Sequence, residues 1–191
     1  MDVQPKDVLG FWFDPAHRAH WFEKAPHFDE QIRGQFAGTV EAATRGDLDG
    51  WTSTPAGWLA LLILLDQFPR NLHRGSPRAW AADVKAQRFA LSGLDAGFDQ
   101  ALSPLERVFA YLPLEHAEDA ALQRRSVALF EELHEQAGAD EQARFAGFLD
   151  YARRHRDVIA RFGRFPHRNA VLGRASSAAE LEYLAQPGAG F

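Results

Sequence analysis

Two short segments place an arginine and an asparagine shortly after a Phe-Pro step: Asp66-Gln67-Phe68-Pro69-Arg70-Asn71 and Arg164-Phe165-Pro166-His167-Arg168-Asn169. The chain holds only two asparagines and both follow arginine here, whereas 18 arginines in 191 residues would give roughly 0.2 such pairs by composition. Arginine's planar fork suits bidentate recognition of carboxylate or phosphate. A third polar run, Leu114-Glu115-His116-Ala117-Glu118-Asp119, adds acids and an imidazole, and His155-Arg156 follows in an arginine-rich stretch. If the two turns face each other, a small anionic ligand meets Asp66, Arg70, Asn71, Glu115, His116, Asp119, His155, Arg156, Arg164, His167, Arg168 and Asn169. Paired acids, histidines and arginines in a cleft shift one another's pKa values and permit acid–base chemistry. The competing reading is an internal salt-bridge network that only fixes how helices dock, in a helical adaptor that binds a protein partner. The sequence leaves both open.

Other chemistries fit less well. Glu131-x-x-His134 puts a carboxylate and an imidazole on one helical face, and Glu115, His116, Glu118 and Asp119 are further potential metal ligands. A ferritin-like di-iron centre needs two such Glu-x-x-His pairs and two more carboxylates, so no metal and no cofactor is assigned. There is no cysteine and no Gly-x-Ser-x-Gly elbow, and Ser126 is expected to bond back to the preceding helical turn. No Gly-rich turn links a strand to a helix, which removes the nucleotide-binding fingerprints. A net charge of −5 argues against nucleic acid, although residues 144–174 carry +6 against −11 for the rest. The aliphatic run Leu59 to Leu65 is too short to span a bilayer, and Met1 to Asp7 lacks the features of a signal peptide, so a cytoplasmic protein is expected. Oligomeric state is not legible.

Every segment that carries these residues repeats with the helical period. Pro5 to Phe13 is a short apolar helix, read as a lid, that Asp14-Pro15 stops. Phe28, Ile32, Phe36 and Val40 recur every four residues in a helix from Pro26 to Gly46. Thr54-Pro55 caps an almost wholly apolar central helix that Pro69 should end at Phe68. Asp83 caps a helix to about Leu94, Ser103-Pro104 one to about Leu112, and Pro113 starts a long helix to Gln136 that carries Glu115 and Glu118 on its inward stripe. Asp140 caps a helix with Phe148, Ala152, His155, Ile159 and Phe162 inward and Gly163 at its end. Ser177 and Glu180 form a capping box. No segment alternates with period two, so the fold class is all-α, with seven or eight helices in a single domain over 1–191. Buried charge survives only when paired, so Glu115, Glu118 or Asp119 should meet Arg156, Arg164 or Arg168.

The runs Asp66 to Asn71, Tyr111 to Asp119 and Tyr151 to Asn169, in this order, resemble the bacterial domain-of-unknown-function family 924, from about Val8 to the C-terminus. The resemblance implies a compact array of helical hairpins grouped with the tetratricopeptide-like superfamily. It assigns no catalytic residue.

Overall fold

The structure is a computed structural model that describes residues 3–190; Met1 and Asp2 of the N-terminal reading, and Phe191, lie outside it. The all-α expectation holds: 71% of the chain is helical, and no strand occurs among the described residues. The helices are α1 (Pro5–Trp12), α2 (Pro26–Arg45), α3 (Pro55–Leu62), α4 (Phe68–Leu72), α5 (Asp83–Asp95), α6 (Pro104–Glu115), α7 (Ala120–Gln136), α8 (Gln142–Phe162) and α9 (Ala178–Leu184). Backbone contacts divide the chain, expected from its length to be a single domain, into two compact units: residues 1–74 with 78–113, and 75–77 with 114–191.

The first unit is built around α3. Thr54 caps it by accepting the Gly57 N–H, and every residue from Gly57 to Leu65 is buried, as a helix apolar on all sides must be. The helix does not end at Phe68. A π-helical turn at Ile63–Gln67 widens the backbone just before Pro69, and α4 carries the chain on through the proline to Leu72. The wider turn absorbs the missing N–H and the ring clash that would break a regular helix there. α1 packs on α3 and α2 on α4, and Phe28, Ile32, Phe36 and Val40 of α2 all point inward. α1 is core rather than lid, since Val8 and Trp12 are fully buried and Trp12 packs against Phe28, Phe68 and Phe109. α5 also packs on α3, where Gly93 lies against the Trp58 ring whose Nε1 donates to Phe89 O. A side chain at Gly93 would occupy the space of the indole.

Proline misleads once more at Pro113. Instead of starting a long helix it sits inside α6, which runs on to Glu115, and the chain restarts at α7 under a new cap, Asp119. In the second unit α7 and α8 form an antiparallel pair, tied by Gln142 to His134 O and by Arg153 to Glu131. The inward stripe of α8 is Phe145, Leu149, Ala152, His155 and Ile159, with Phe148 half-buried. Gly163 ends α8 at φ 71°, a left-handed conformation that glycine adopts at little cost. The chain then makes a 3₁₀ turn at Pro166–Arg168, against which α9 packs under its Ser177/Glu180 capping box. Glu141, not Asp140, precedes α8, and Asp83 is the first residue of α5 rather than its cap.

Candidate functional site

Each Phe-Pro-Arg-Asn segment builds a network within its own unit. In the first, Arg70 donates to Asp83 Oδ1 (2.7 Å), Asp66 Oδ1 (3.2 Å) and the Ala79 carbonyl, and Gln67 donates to the other oxygen of Asp66. Burial lowers the pKa of the guanidinium, but the charges of Asp66 and Asp83 outweigh it and hold Arg70 more firmly protonated than usual. Asn71 donates to Asp29 Oδ1 (2.8 Å), whose carboxylate also accepts from Arg74. This segment lies inside a continuous helix rather than beyond its end. A groove of about 230 Å³ on this unit is lined by Val40, Glu41, Thr44, Pro69, His73 and Arg78, among others. Asp66, Arg70 and Asn71 do not line it.

The second segment turns around Phe165, which is fully buried. Its ring lies under the Arg168 guanidinium at 4.5 Å and packs against His155 at 5.5 Å and His167 at 5.7 Å. Arg168 is only 6% exposed and donates to His116 O at 3.2 Å. The His116 and His155 rings lie 6.0 Å apart. Glu118 accepts the Phe165 N–H (2.8 Å) and a forked pair of bonds from Arg174 (2.6 and 2.9 Å), and Arg174 Nε donates to Asn169 Oδ1. Burial raises the Glu118 carboxyl, but these donors prevail and hold it below its ordinary value. Asn169 in turn donates to Ser176 Oγ. Both units thus place an asparagine beside an arginine–carboxylate pair, Arg74 with Asp29 and Arg174 with Glu118.

Glu115 and His155 form a deeply buried polar contact in this unit, with Glu115 Oε1 3.1 Å from His155 Nδ1 and both side chains nearly inaccessible. The same Nδ1 lies 2.9 Å from Tyr151 O. A carbonyl oxygen can only accept, so Nδ1 carries the ring proton and a neutral ring keeps its lone pair on Nε2. Burial, reinforced by the charge of His116, pushes the His155 pKa down to about 3. His167 is pushed down to about 4 by burial and then by Arg168. Both imidazoles are therefore neutral near pH 7. The backbone on either side of His116 is braced by Gln123, whose Nε2 donates to Glu115 O and Ala117 O (2.5 and 2.9 Å). One atom from each of Glu115, His116 and His155 lies within 4.8 Å of the others.

The remaining candidates lie elsewhere. Arg156, expected inward, is part-exposed and pairs with its neighbour Asp157; the stripe through Ala152, His155 and Ile159 turns position 156 out of the core. The carboxylate of Asp119 does not serve as an arginine's partner but accepts from Ala121 N and Leu122 N as the cap of α7. Arg164 grips Glu180 through two bonds (2.6 and 2.8 Å), a partner that the sequence pattern assigns only to the capping box. Ser126 does not bond back to its helix; its Oγ is buried with no hydrogen-bond partner among the described residues. Glu131, half of the Glu-x-x-His pair, is engaged by Arg153. Gln123 and Arg174 are the contributors that sequence reasoning misses, since neither lies in a motif and nothing local marks them.

A family model described as bacterial protein of unknown function DUF924 matches residues 8–188. A solved structure, that of a protein of unknown function, ATU0120, from Agrobacterium tumefaciens, is 41% identical, covers 96% of this chain and 97% of its own, and superposes with a TM-score of 0.86. No curated protein matches.

Proposed function

The chain belongs to the DUF924 family of bacterial proteins, and we propose that it binds a small anionic metabolite at the polar cluster around Phe165. One observation supports this reading above the rest: the buried Arg168 and two histidines, His155 and His167, share the Phe165 ring, and His116, from a distant part of the sequence, packs on His155. Burying imidazoles against a guanidinium depresses their basicity and costs stability, and such arrangements concentrate where ligands or protons are handled. Arg168 supplies a fixed positive charge, while His116 and His167, each part-exposed, supply hydrogen bonds at the solvent side. A neutral imidazole beside a bound anion can also accept a proton, so the reading extends to acid–base chemistry on the ligand.

This narrows the site expected from sequence. Asp66, Arg70 and Asn71 serve the fold of the first unit, and Arg164, Arg174, Asn169 and Asp119 hold the turns of the second.

A thermal-shift screen of phosphates and carboxylates tests the reading. A ligand at 100 times its Kd stabilises by about 2.7 kcal/mol. A stabilising anion should lose its effect in His167→Ala and Arg168→Gln. If no anion stabilises the protein, or if a stabilising anion acts equally on both variants, the helical adaptor reading replaces this one.

A further inference from the structure

We propose that Glu115, His116 and His155 form a divalent transition-metal site, a function that goes beyond anion binding and does not depend on it. The three side chains come from the end of α6, the residue after it, and the inward stripe of α8, and their ligating atoms lie within 4.8 Å of one another. Two imidazoles and a carboxylate are the donor set that suits zinc, iron(II), cobalt(II) or manganese(II), and this combination leaves further coordination positions to water or substrate. Bonds of about 2.0–2.2 Å bring ligand atoms to about 3.0–3.5 Å from one another. The present separations, up to 4.8 Å, would close by roughly 1–2 Å around a bound ion.

The surroundings match what metal-binding histidines require. A ligating imidazole commonly donates its other ring N–H to a carbonyl or carboxylate, which fixes its tautomer. His155 does this through Nδ1, which has Tyr151 O at 2.9 Å and Glu115 Oε1 at 3.1 Å, and its Nε2 lone pair stays unprotonated for a metal. Glu115 is held at the level of the backbone by Gln123, which grips the carbonyls on both sides of His116. The burial of Glu115 and His155, with His116 part-exposed, gives a site that is dry on one side and reachable on the other. Glu131-x-x-His134, the more obvious pair in the sequence, is joined by no third ligand among the described residues and is half-exposed.

The test uses the full chain stripped with a chelator and titrated with cobalt(II) in a buffer without phosphate or carboxylate. One equivalent of cobalt should bind with the appearance of a visible ligand-field spectrum, and zinc should displace it. His116→Ala, the least buried of the three, should fold with a wild-type melting temperature and bind at least about 100-fold more weakly, beyond the roughly 10–100-fold that losing a partner behind the ligands costs. Glu115→Gln should weaken binding similarly, and Glu131→Gln should leave it unchanged. Absence of a cobalt spectrum at millimolar metal overturns the proposal, as does wild-type affinity in His116→Ala or a matching loss in Glu131→Gln. Because no anion is present, these outcomes are independent of the metabolite screen.

Discussion

Individual charged residues separate by whether their partners are buried with them. Arg70 holds two buried carboxylates, so removing it takes a cationic partner from both Asp66 and Asp83. Arg70→Met should therefore cost about 3–5 kcal/mol, the range for breaking a buried pair. Arg156 is 38% exposed and its partner Asp157 is 67% exposed, so Arg156→Ala should cost at most about 1 kcal/mol. Melting both variants against wild type checks the pair: a drop of roughly 10 °C for Arg70→Met and of a few degrees or less for Arg156→Ala is expected. Equal losses would show that the first network is as solvent-screened as the second.

At the level of elements, prolines and connectors decide where the site falls. Pro69 and Pro113 both lie inside helices, the first made tolerable by the π turn and the second close enough to the end of α6 that few bonds are lost. Carrying α6 past Pro113 moves Glu115 to a helix terminus and turns residues 116–119 into a connector, which is why Glu115 meets His155 while Glu118 meets Arg174. Gln123 holds that connector by satisfying two buried carbonyls from one amide. Gln123→Leu should remove both bonds and cost about 1–3 kcal/mol for each carbonyl left unsatisfied. It should also perturb the His116 ring, visible as a changed imidazole resonance in NMR. A variant as stable as wild type would mean that the connector is held by other contacts.

For the molecule as a whole, the buried histidines predict a pH dependence with a defined sign. His155 and His167 titrate near 6.5 in the unfolded chain but at about 3 and 4 when folded. Below pH 6.5 the unfolded state therefore binds more protons, and stability is lost as pH falls. The slope approaches about 1.4 kcal/mol per pH unit for each histidine. Glu118 and Asp29, whose pKa values are lowered, act with the same sign but only below their unfolded values of 4.5 and 3.8. Between pH 6.5 and 4.5 the histidines dominate. Urea midpoints measured across that window should fall steadily for wild type and less steeply for His167→Asn. A flat wild-type profile would show that the imidazoles are not held neutral.

Local features whose causes lie within a few residues are legible in the chain. The apolar repeat of α2, the Thr54 cap, the Ser177/Glu180 box and the Gly163 stop are all set by neighbours, and each appears as read. The family resemblance likewise rested on short motifs and holds over residues 8–188. His155 could be placed inward because helical phase is a local property. Which acid meets it could not, because Glu115 and His155 lie far apart in the chain and their meeting depends on where α6 ends and how α7 packs on α8. The same holds for Arg164 and Glu180, and for Arg174 and Glu118. Charge pairing across elements depends on tertiary distance, and proline marks a strained position without stating whether the helix ends there or widens to pass it.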